Sequence, residues 1–157
     1  MKRLIRRAVA WVCYAANCEV DMLSKQDVLD SVDWDSVMKA PRYAGGHEDV
    51  MRTMFGHKAQ VIGEYVEDHY DGVEAFAYEF YDGTIAIITD SFGSCVGCDY
   101  WEDATDEEAR NMVRELAINA RLFPNRVEAR EFCAHGTDAA EQWTMRAAKN
   151  LVDALSP

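Results

Sequence analysis

The stretch SFGSCVGCDYWED, residues 91–103, carries the residue types best suited to chemistry. Cys95 and Cys98 stand three apart in a glycine-bearing turn, between an apolar run and an acidic cluster. This spacing can aim two sulfurs at one ion, and a structural zinc takes four ligands with each sulfur about 2.3 Å away. Cys133 and His135, spaced Cys-x-His, are the best further pair. The metal reading expects their helix to fold back toward the turn, so that Cys95, Cys98, Cys133 and His135 close one site.

Two other chemistries fit the turn less well. Redox exchange needs a thiolate of low pKa at a helix N-terminus. Cys95 and Cys98 precede the next helix by several residues, and Asp99, Glu102 and Asp103 crowd them with charge that raises a thiol pKa. A cysteine nucleophile needs an imidazole base. His47, His57, His69 and His135 are available, but no family-type signature surrounds Cys95. Against all three stands packing, since cysteine behaves as a small, frequently buried side chain. The turn then only carries the chain from strand to helix, with Phe92, Tyr100 and Trp101 packed over it. Tyr100, Trp101, Glu102 and Asp103 also form a candidate protein-binding patch, because aromatic residues dominate binding hot spots.

Composition narrows the choice further. The 157 residues carry 28 acids against 16 bases, a net charge of −12. Residues 1–17 hold Lys2, Arg3, Arg6 and Arg7 and no acid, so the remainder carries −16. An acidic body repels nucleic-acid phosphates and attracts basic partners. Five cysteines cannot all pair within one chain, which favours free or metal-bound thiols and a reducing, cytoplasmic compartment. The apolar stretch 8–16 is short for an export signal, and no segment approaches the roughly twenty apolar residues of a membrane span. The length suits a single domain over 1–157 that folds without needing metal or disulfide.

The elements that must position the turn follow from periodicity. A basic-headed amphipathic helix is predicted over 2–17. Ser24, with Asp27 three residues on, opens a second helix with Val28, Leu29 and Val32 on one face. DWDSVMKAP continues it or forms a separate short helix before Pro41. Val50, Met51, Met54 and Phe55 make a helical stripe closed by Gly56. The period then drops to two. Strands are predicted at about 60–66, 73–81 and 84–90, the last two joined through Asp82-Gly83, a strong hairpin signal. In the first, Val61, Gly63 and Tyr65 are expected on the same face. Thr105 with Glu108 predicts a capping box, followed by the stripe Ala109, Met112, Val113, Leu116, Ala117 and Ala120. Asn125 opens a short helix ended by Gly136, and a last helix runs over 137–155. The layout is α+β: a helical part over 1–57, a three-stranded antiparallel meander with the cysteine turn and helices over 58–135, and the C-terminal helix. Helices are expected on one face of the sheet.

The run YDGTIAIITDSFGSCVGCDYWEDATDEEA resembles uncharacterised small proteins of bacteriophages and actinobacteria, in which a hairpin leads into a Gly-Ser-Cys-x-x-Cys-Asp turn. The matching residues are Gly93, Ser94, Cys95, Cys98 and Asp99, and a weaker likeness extends through ARLFPNRVEAREF. The resemblance implies a phage or mobile-element origin, hence the host cytoplasm, and no mechanism. The expected function is a small acidic accessory protein, non-enzymatic and without a resident cofactor. It would bind a host or phage protein and touch neither nucleic acid nor membrane directly. In its sharper form it occupies a basic nucleic-acid-binding surface. The competing expectation is a zinc-stabilised or thiol-dependent enzyme centred on Cys95 and Cys98.

Overall fold

A computed structural model describes residues 22–41, 47–67, 72–92, 101–136 and 142–156. The helix expected over 2–17 lies outside them, as do Cys95, Cys98 and Tyr100.

The local signals around the helix ends act as the sequence predicts. Ser24 caps α1 (Lys25–Asp30): its hydroxyl accepts from the Asp27 backbone N–H, and the Asp27 carboxylate accepts from the Ser24 N–H at 2.9 Å. DWDSVMKAP forms a separate helix, α2 (Trp34–Lys39), because the Asp33 carboxylate accepts from Ser36 N–H and starts a new turn. Helix α3 (His47–Thr53) follows. Thr105 and Glu108 form the second reciprocal cap, opening α4 (Asp106–Asn119). Asn125 caps α5 (Arg126–His135), which stops at Gly136, and α6 covers Gln142–Lys149, giving way to turns over 150–155 where the last helix was expected to continue.

The strands are β1 (Ala59–Val66), β2 (Gly72–Phe80) and β3 (Ile85–Phe92), with a fourth, β4 (Arg121–Phe123). They form one antiparallel sheet in the order β1-β2-β3-β4. The expected three-stranded meander is therefore four-stranded. β4 is too short to show a period of two, and its pairing comes from Ile85, Ala86 and Ile87 across the ladder. The β2–β3 hairpin also differs in detail. Phe80 and Thr84 close a three-residue loop, with Phe80 N–H donating to Thr84 at 2.9 Å. Gly83 ends the loop with a positive φ of 93°, which suits a three-residue hairpin closed by a left-handed residue.

The sheet is covered on both faces, not one. Side chains on a strand alternate between faces, so β2 and β3 must feed two cores. The first core holds Phe76, Tyr78, Phe80, Ala86 and Ile88, packed by α1–α4 through Val28, Val37, Met51, Met54, Phe55 and Val113. The second holds Val73, Ala75, Ala77, Ile85 and Ile87, packed by α5, α6 and the following turns through Ala129, Cys133, Ala147, Ala148, Leu151 and Leu155.

A bulge in β1 decides which residues reach which core. Val61 pairs with Tyr78 and Gly63 with Ala77, so Ile62 is the extra residue. An extra residue inverts the alternation. Val61 therefore packs into the first core while Tyr65 packs into the second, against the expectation that they share a face. Gly63 serves a close approach: a Cβ there would stand 2.7 Å from the Ala154 methyl.

Candidate functional site

The downstream end of the cysteine turn is anchored inside the protein. Trp101 is 2% exposed in the first core, and its indole N–H donates to the Pro41 carbonyl at 3.2 Å. A residue expected in the binding patch is thus an internal anchor. Its large apolar ring gains more from burial than from display, and its one polar atom is satisfied there. Glu102 and Asp103, its neighbours in the patch, are exposed. The patch is therefore acidic at these positions.

The metal expectation also meets a geometric obstacle. Cys133 and His135 lie two residues apart on α5, which places them on roughly opposite sides of the helix. Cys133 is fully buried in the second core, across the sheet from Trp101, and burial pushes its thiol up to about 11. The His135 side chain is 78% exposed, with Nε2 3.8 Å from the Glu131 carboxylate. The two are not brought together as a ligand pair. Among the described residues, no group of three or more His, Cys, Asp or Glu side chains is placed to hold a metal ion. Also among them, no helix is long and apolar enough to cross a membrane.

The structure does assemble a charged surface. α1 packs against α4. α2 joins the same layer through Trp34, whose ring lies under the guanidiniums of Arg110 and Arg114 at 5.5 and 5.6 Å. Segments 22–41 and 101–120, which build this layer, contain ten acids and four bases. Asp27, Asp30, Asp35, Glu102, Asp103, Glu107, Glu108 and Glu115 are exposed. Two of the four bases, Arg110 and Arg114, face an aromatic ring, an attraction that draws them over Trp34. Asp27 and Glu108 are held below their ordinary carboxyl values by hydrogen bonds from Ser24 and Thr105, so they stay ionised to lower pH. Sequence reading located the acids near Glu102 and Asp103 and missed those of α1 and α2. Their contribution depends on which helices become neighbours.

The opposite layer is built differently. Segments 126–136 and 142–156 contain three acids and four bases. Arg126 pairs with Glu79 of β2 at 2.7 Å, and Arg146 pairs with Glu67 just after β1. These bases tie helices to the sheet.

A buried polar group was likewise invisible in the sequence. The Tyr78 hydroxyl donates to the Met51 carbonyl at 2.7 Å, joining β2 to α3 inside the first core. Burial, then the carboxylates of Glu74 and Glu64, push its pKa well up, so the phenol remains a hydrogen-bond donor. Glu74 is itself 1% exposed on the same sheet face.

The fold is thus α+β, an antiparallel four-stranded sheet between two helical layers, one of them strongly acidic. Compared with known proteins, the chain matches no family model, no curated protein and no solved structure.

Proposed function

We propose that this is a small acidic accessory protein, of phage type, that binds a basic protein through its α1–α2–α4 layer and performs no catalysis. The observation that carries the reading is the separation of charge across the sheet. The described segments carrying α1, α2 and α4 hold ten acids against four bases, while those of the opposite layer hold three acids and four bases. The exposed acids of the first layer offer a negative surface on a folded support, suited to a partner rich in Lys and Arg. In its sharper form the partner surface is one that otherwise holds nucleic acid. Such a surface is built to meet closely spaced negative charges, and the exposed carboxylates on α1, α2 and α4 present that kind of field.

The test is capture of host proteins on immobilised protein at low and at high salt, repeated with Glu107→Lys/Glu115→Lys. The proposal expects retained proteins of basic surface, released by salt, and their loss with the reversed variant. Screening shortens the reach of exposed charges to about 10 Å at 0.1 M salt, so electrostatic docking must weaken steeply. An identical set of captured proteins at both salt concentrations, unaffected by the charge reversals, overturns the reading.

A further inference from the structure

We draw no further inference here: the strongest candidate, the exposed apolar side chains Met22, Tyr81 and Val127 near the β2–β3 hairpin end of the sheet, carries no proposal because nothing in the structure shows what covers them.

Discussion

The two faces of the sheet are built from one set of strands but solve different packing problems. The first core is aromatic: Phe55 meets Tyr78 edge-on at 4.9 Å and Phe80 at 5.1 Å, beside Met51, Met54 and Trp101. The second is made of small and branched aliphatic groups, with Ala75 and Ala77 facing Ala147, Ala148 and Leu151. In the second, Gly63 lets the C-terminal segment approach β1 closely. The coats differ as the cores do. Bases of the second layer reach back to Glu79 and Glu67 on the sheet side, while the acids of the first layer remain exposed. On one face the charges are spent on contacts with the sheet, and on the other many acids are left exposed to solvent.

This contrast can be broken most severely in the first core. Phe55→Ala removes a ring shared by Tyr78 and Phe80, with an expected loss of about 3–5 kcal/mol in urea unfolding. A loss under about 1 kcal/mol would mean that the aromatic face is not the main source of stability. In the second core the damaging change is addition. Gly63→Val drives a side chain into Ala154 and Leu151, at an expected cost of about 1–3 kcal/mol by the same assay. A neutral result would show that the close approach of the C-terminal segment is not maintained.

Helix capping provides a smaller test. Asn125→Ala, which removes the oxygen accepting from Glu128 N–H at 3.0 Å, should cost about 1 kcal/mol. The capping carboxylates of the acidic layer, Asp27 and Glu108, add a pH dependence. Their folded values lie below the ordinary 3.8 and 4.5. Their stabilising contribution is therefore complete above the unfolded values and is lost as pH falls through the folded ones. Glu108→Gln should lower stability most at neutral pH, where the ionised cap contributes, and approach the parent at low pH, so that the acid limb flattens. An unchanged acid limb would remove Glu108 from the account.

The smallest expected effects on stability are on the surface, and they bear most directly on function. Glu107→Lys/Glu115→Lys should change unfolding free energy by no more than about 0.5 kcal/mol per substitution while abolishing partner capture. Glu128→Lys, an exposed change on the opposite layer, should spare capture. Equal loss from both would dissolve the distinction between the faces. For the metal expectation, native mass spectrometry of Cys133→Ala should give the same metal content as the parent chain. Loss of a bound zinc would return Cys133 to a ligand role that its burial in the second core opposes.

Much of the secondary structure was legible because its causes are local. The capping boxes at Ser24 and Thr105 depend on residues three apart, and the α4 stripe from Ala109 to Ala117 shows its own 3.6-residue period. The Asp82-Gly83 hairpin required only a residue tolerant of positive φ. The candidate site was far less legible. Glu102 and Asp103 were found as exposed acids, and Trp101, which the sequence allowed either in the patch beside them or packed over the turn, is buried. An aromatic residue next to acids looks the same in sequence whether it faces solvent or a core. The helix predicted from Asn125 to Gly136 already implied that Cys133 and His135, two residues apart, point to roughly opposite sides, but not which side faces the core.

By itself, then, the sequence determined the capped helix starts at Ser24 and Thr105, the antiparallel pairing of its central hairpin and the acidic balance of the chain. Tertiary structure alone decided the fourth strand, the helical cover on both faces and the gathering of α1, α2 and α4 into one acidic layer. The physical reason is range. Caps, turns and periodicity are settled among residues a few positions apart, whereas face and neighbour depend on register. One extra residue at Ile62 reverses the alternation along β1, and a three-residue strand exists only because Ile85–Ile87 stand ready to pair with it.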